Sequence, residues 1–217
     1  MIERGWTKIC GVTRAEDLET VIAAGAHAVG LNFWPGSPRC ISVEHARKLV
    51  AAAAGRIQTV GVVVNMAQNE LSSLRGELAL DWIQLHGDES SHVVESLLPG
   101  AYKALGIAHE DHVVEALEIP GELLLIDARD DVARGGTGRT APIELARKIA
   151  ARRPTVLAGG LVPENVADRI ERVRPMGVDA ASGVEESPGV KDAAKVHAFC
   201  EQARSAFARL GDGGSDV

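Results

Sequence analysis

Residues 6–25, WTKICGVTRAEDLETVIAAG, hold one complete unit of the fold. WTKIC is a short β-type run. The segment after it carries helical spacing, with Thr13 and Glu16 placed as a capping box and Gly25 as a stop. The same order recurs down the chain. AHAVGLNF (26–33) precedes a helix opened by Ser42 and closed by Gly55, and IQTVGVVVN (57–65) precedes AQNELSSLRGEL (67–78). DWIQLH (81–86), AYKALGI (101–107), ELLLID (122–127), TVLAGG (155–160) and GVDAASG (177–183) are the later strands. Each is followed by a helical segment, one of them starting at Pro163 and the last being KDAAKVHAFCEQARSAFARL (191–210).

Eight β-then-α units of about 25 residues imply parallel strands joined by helices. An open doubly wound sheet shares that alternation but more often has about six strands. Eight units predict an α/β fold of the (βα)8 TIM-barrel type, at the small end of its size range. Residues 1–210 read as one barrel domain. The Gly/Asp/Ser-rich end, GDGGSDV (211–217), reads as a flexible tail.

Composition agrees. Of 217 residues, 46% are apolar and only 3% aromatic, which suits a regular core built from small aliphatic side chains. A formal charge of -7 argues against a nucleic-acid partner, which calls for a basic surface. The three cysteines, Cys10, Cys40 and Cys200, are widely spaced and form no CxxC pair. That pattern fits neither a disulfide framework nor a structural zinc site. No run approaches the roughly 20 apolar residues of a membrane span, and the N-terminus lacks the apolar core of a signal peptide. The expectation is a cytoplasmic protein with no membrane partner.

In a barrel of this kind chemistry sits at the C-terminal ends of the strands. Cys10 ends strand one, two residues after Lys8 and therefore on the same face. A nearby ammonium favours a thiolate, whereas a packed thiol above a core lysine is the plainer alternative. The stiff loop FWPGSPRC presents Arg39, a planar fork suited to a carboxylate or phosphate, or else a solvated loop arginine. Gln84 and His86 share a face at the end of strand four, where His86 either meets substrate or ties a neighbouring loop. Asp127 closes the apolar run of strand six, a setting suited to a general acid or to a loop-capping carboxylate.

GGTG (135–138) brings backbone N–H groups within reach of an anion, as glycine turns do. LAGGL after strand seven and ASGVE after strand eight are the more specific pair. Small residues there, with Ser182, Gly183, Val184 and Glu185 opening a short helix, match the usual phosphate grip of such barrels. A thiol, a carboxyl group, an arginine and a phosphate cradle around one mouth indicate acid–base chemistry on a phosphorylated small molecule. Nothing in the pattern calls for a metal or a cofactor.

The series KICGVT, GLNFWPGSPR, VGVVVN, QLHGDE, GGTG, LAGGLVPENV and SGVEESPGVKD runs in order from Lys8 to Asp192. It resembles the phosphoribosylanthranilate isomerase family of tryptophan biosynthesis. The resemblance implies an aldose–ketose type isomerase performing an Amadori rearrangement of a small phosphoribosyl substrate, without cofactor or metal. It implies Cys10 as general base, Asp127 as general acid and Arg39 on the anthranilate carboxylate. It implies Gly136, Gly138, Gly160 and Gly183 against the phosphate. Gly159, Ser182, His86 and Lys8 are the further substrate-site candidates from the strand ends, Lys8 as the neighbour that helps hold Cys10 as thiolate. Three positions differ from many relatives: the segment RTAPIEL lacks an aromatic, Ala181 replaces a common serine and Trp34 a common tyrosine.

A related sugar-phosphate isomerase of histidine biosynthesis, or a dual-substrate enzyme, is the catalytic alternative. Such barrels typically use two aspartates, and strand one here ends in cysteine. A non-catalytic phosphate-binding scaffold is the other alternative. A monomer and a homodimer are both compatible with the sequence.

Overall fold

A computed structural model describes residues 2–128 and 142–212. Eight strands close into a parallel barrel in sequence order. They are β1 (Trp6–Cys10), β2 (Ala28–Asn32), β3 (Gln58–Val63), β4 (Trp82–Leu85), β5 (Ala101–Gly106), β6 (Leu124–Asp127), β7 (Thr155–Ala158) and β8 (Gly177–Ala180). Between them lie α1 (Ala15–Ala23), α2 (Val43–Ala53), α3 (Gln68–Leu78), α4 (Ser91–Leu97), α5 (Asp111–Glu118), α6 (Pro142–Ala150) and α7 (Val166–Val173). The final helix α8 (Ala193–Asp212) packs on α1 and α7. The expected (βα)8 architecture is the one observed. No described helix is long and apolar enough to cross a membrane.

Alternation along each strand builds two cores. One set of side chains faces the helices: Ile9, Val29, Leu31, Ile83, Leu124, Ile126 and Leu157 pack there against Leu18, Leu49, Ile149, Ile170 and Phe199. The opposite set fills the barrel, where Trp6, Ala28, Val60, Tyr102, Leu125 and Val156 form a second apolar cluster. Above that floor the inward-facing residues turn polar: Lys8, Gln84 and Asp179 are buried in the barrel.

Register decides which of these meet. β1 pairs with β2 through Lys8–Ala28 and Cys10–Gly30, and with β8 through Lys8–Asp179. Closure of the sheet therefore places the lysine of the first strand beside the aspartate of the last. Gly30 leaves room for the thiol, because a Cβ there would lie 2.7 Å from Cys10 Sγ.

Several helix boundaries differ from the sequence reading. The capping box at Thr13 does not form: α1 starts at Ala15, and its N-cap Arg14 makes no side-chain cap bond. Thr13 Oγ1 instead donates to the Gly189 carbonyl at 2.6 Å, a distant partner that outcompetes the local one. Ser42 does cap α2, its hydroxyl accepting from the His45 N–H. Helix α7 starts at Val166 rather than Pro163. The Asn165 amide bridges the Val162 N–H and the Gly160 carbonyl, and so uses the intervening residues as a turn. The short helix after β8 is a 3-10 turn, Ser182–Val184. It leads into an antiparallel ribbon of β9 (Glu185–Ser187) and β10 (Val190–Lys191), which the sequence reading did not include. Pro188 and Gly189 lie between its strands. Helix α8 continues through Gly211 and Asp212, into the segment read as a tail; residues 213–217 lie outside the described part.

One surface histidine ties β1 to β2. His27 Nδ1 accepts from the Thr7 N–H at 3.1 Å, which requires the neutral ring. Burial, reinforced by Arg204, lowers its pKa against an opposing pull from Glu3. A depressed imidazole pKa contributes stability that is complete above the unfolded value, about 6.5, and is lost as pH falls below it. Urea unfolding should therefore show a steeper acid-side loss of stability for wild type than for His27→Asn, whose amide oxygen still accepts from Thr7. Identical pH dependences would remove His27 from this role.

Candidate active site

The C-terminal ends of the strands surround a cavity of about 300 Å³. Cys10, Arg39, His86, Asp127, Gly159, Gly160, Ser182 and Gly183 all line it, joined by Asn32, Trp34 and Asp179. Eight of the residues singled out from sequence therefore share one wall system, brought from β1, β4, β6 and the turns after β2, β7 and β8. Gly136 and Gly138 lie outside the described residues.

Lys8, a candidate substrate contact, does not line the cavity. It is fully buried below the cavity, and Nζ donates to Asp179 Oδ2 at 2.6 Å. Burial alone would push the lysine down, but the Asp179 carboxylate, helped by Cys10, holds its ammonium well above the usual lysine range. Asp179 Oδ1 is buried and has no hydrogen-bond partner among the described residues. The aspartate was missed in sequence. Its one signal was a lone acid inside an apolar strand, facing a lone lysine only once the barrel closes.

Cys10 sits one residue pair above that ion pair. Burial pushes its thiol up; Lys8 pulls it down, Asp179 pushes it up again and Lys191 pulls it down. The net direction is upward, so the ligand-free site favours the thiol over the thiolate. Lysine proximity therefore acts on Cys10 but does not outweigh desolvation.

His86 is set by a relay. Tyr102, buried in the barrel, donates its hydroxyl to Gln84 Oε1 at 3.0 Å, and Gln84 Nε2 lies 2.7 Å from His86 Nδ1. The Gln84 nitrogen can only donate, so Nδ1 accepts and the ring proton is on Nε2. Burial lowers the His86 pKa, with Lys8 acting in the same direction, so the ring is a neutral donor.

Arg39 is anchored rather than solvated. Nε and Nη2 donate to the two oxygens of Glu185 at 2.8 and 2.5 Å. Glu185 also accepts from Lys191 Nζ at 2.8 Å, and Lys191 Nζ donates to the Cys10 carbonyl at 2.6 Å and the Ala181 carbonyl at 3.2 Å. The sequence placed Glu185 in the short helix after β8 and Lys191 at the start of the last helix; both belong instead to the short ribbon, and neither stood out as a partner of Arg39.

The turns after β7 and β8 interlock. A Cβ on Gly183 would fall 1.9 Å from the Leu161 carbonyl oxygen, so only glycine lets the two backbones approach. Both turns line the cavity together with Arg39, Cys10 and Asp127. Among the described residues no group of three or more His, Cys, Asp or Glu is arranged to hold a metal ion.

Comparison with known proteins agrees with this geometry. A family model described as N-(5'phosphoribosyl)anthranilate (PRA) isomerase matches residues 7–202. An N-(5'-phosphoribosyl)anthranilate isomerase of Pseudomonas fluorescens is 40% identical over 200 residues, covering 91% of this chain and 98% of the relative. A crystal structure of phosphoribosyl anthranilate isomerase in complex with reduced 1-(o-carboxyphenylamino)-1-deoxyribulose 5-phosphate superposes with a TM-score of 0.82. It is 33% identical and covers 94% of this chain and 100% of its own. A structure described as monomers generated from the dimeric enzyme of Thermotoga maritima gives 0.80 at 34% identity, with the same coverage.

The buried pair under Cys10 makes a stability prediction. Lys8→Met leaves the Asp179 carboxylate unpaired in the barrel and should cost about 3–5 kcal/mol. The double variant Lys8→Met/Asp179→Asn removes both charges and should recover more than half of that loss in urea unfolding. Equal losses in the single and double variants would show that the pair is not the source.

Proposed function

This chain belongs to the N-(5'-phosphoribosyl)anthranilate isomerase family, and from that premise we propose the residue roles that carry its reaction. It is an isomerase of tryptophan biosynthesis, rearranging N-(5'-phosphoribosyl)anthranilate to 1-(2-carboxyphenylamino)-1-deoxyribulose 5-phosphate. The observation that supports the roles is the convergence of Cys10, Asp127 and Arg39 with the turns after β7 and β8 on one cavity.

In this reading the phosphate rests on the backbone N–H groups of Gly159, Gly160, Ser182 and Gly183, with Gly136 and Gly138 proposed to complete the grip. Arg39 holds the anthranilate carboxylate at the other end. The sugar then spans the space between Cys10 and Asp127. Asp127 gives a proton to the ring oxygen as the C1'–O bond breaks, which leaves an iminium ion. Cys10 as thiolate takes the C2' proton, and the electron pair of that C–H bond forms the enolamine. A proton returned to C1' and loss of the enol proton give the ketone. His86, held as a neutral Nε2–H donor, is suited to bond a substrate oxygen without adding charge.

Because burial favours the thiol, the thiolate is a minor form in the empty site. The positive iminium adds to the pull of Lys8 and Lys191 on the thiol and favours ionisation at the step that needs it. The cysteine at the end of β1 also speaks against the histidine-pathway alternative, which would place an aspartate there. We read residues 1–210 as one catalytic domain acting in the cytoplasm as a monomer or homodimer; the Thermotoga maritima relative is described as dimeric.

The test is to mix purified protein with freshly generated N-(5'-phosphoribosyl)anthranilate and follow loss of its fluorescence. Cys10→Ala and Asp127→Asn should each lower kcat by about 10²–10⁴-fold. Wild-type kcat/KM should rise between about pH 6 and pH 9 as the thiolate fraction of the free enzyme grows. Undiminished turnover by Cys10→Ala, or a flat profile over that range, would exclude Cys10 as the base.

A further inference from the structure

We infer that Glu185 is a positioning residue that fixes one edge of the Arg39 guanidinium so that its other edge meets the substrate carboxylate. The inference rests on the reading of Arg39 as the carboxylate contact. A guanidinium offers two forked edges to oxyanions. The Nε–Nη2 edge of Arg39 is filled by Glu185 through two hydrogen bonds. No hydrogen bond from Nη1 to a described side chain or backbone group competes for the remaining Nη1–Nη2 edge, and Arg39 lines the cavity.

Glu185 is able to do this because it is itself immobile. Its side chain is 4% exposed, and Oε1 accepts from the Lys191 ammonium and the Gly189 N–H. Burial pushes its carboxyl group up, but the hydrogen bonds from Arg39 and Lys191 outweigh that and keep it ionised. Lys191 reaches on to the backbone carbonyls of Cys10 and Ala181. The ribbon thus ties the carboxylate arginine, the base strand and the turn that carries Ser182 and Gly183 into one unit. Without Glu185, Arg39 would be a loop arginine with several free torsions, and substrate would have to order it on binding.

Two substrates separate orientation from general structure: N-(5'-phosphoribosyl)anthranilate and N-(5'-phosphoribosyl)aniline, which lacks the carboxylate. Glu185→Gln should raise KM for the carboxylated substrate by about three- to tenfold, the cost of ordering one long side chain. The KM for the aniline compound should move by less than about twofold in the same variant. Equal changes for both substrates would make Glu185 merely structural. A lower KM for the carboxylated substrate would show that Glu185 competes for Arg39. Either result overturns the inference. Arg39→Ala supplies the control: it should penalise the carboxylated substrate alone. If it penalises both alike, the carboxylate reading of Arg39 fails first. If it discriminates and Glu185→Gln does not, the Glu185 role alone fails. Should Glu185→Gln not fold, because it leaves the Lys191 charge unpaired, Glu185→Gln/Lys191→Met removes both charges and allows the same ratio to be read.

Discussion

The contact between Lys8 and Asp179 depends on closure of the barrel and is also its clearest electrostatic consequence. The two residues are 171 positions apart and meet only because β8 pairs with β1. An unpaired charge in that interior is costly, so neither residue is tolerable without the other. Their ion pair divides the apolar floor around Trp6, Tyr102 and Leu125 from the reactive layer above. Cys10, two residues further along β1, inherits the field of both members and the dryness that forced them together.

The same logic repeats at the rim. Arg39, Glu185 and Lys191 form a second charge group, with a half-buried and a buried cation around one buried carboxylate. Its surplus positive charge lies beside the Cys10 backbone and, through Arg39, on the cavity wall. The central Lys8–Asp179 pair is closer to neutral, and His86 is held uncharged by the Tyr102–Gln84 relay. Positive charge is therefore concentrated at Arg39, where the proposed carboxylate contact lies, while His86 on the same cavity stays uncharged.

How much of this was legible depended on sequence distance. The eight strand-then-helix units repeat a local pattern, and each is readable within about 25 residues. Cys10, Asp127 and the turns after β7 and β8 were readable as residues of the barrel mouth because the barrel assigns meaning to strand ends. Asp179 and Glu185 were not, since each acquires its role from a partner more than a hundred residues away. The ribbon of β9 and β10 was too short to show a period. Thr13 misled for the complementary reason: its capping pattern is sound locally, but its hydroxyl bonds to Gly189 across the ribbon.

Burial sets the resting state of the Cys10 thiol and outweighs the neighbouring lysines. The pH dependence of Cys10 alkylation, resolved from Cys40 and Cys200 by peptide mass spectrometry, tests it directly. The account predicts a midpoint above that of an ordinary cysteine, and a higher one still when Lys191→Met removes one of the opposing charges. A midpoint below the ordinary value in the ligand-free protein would contradict it.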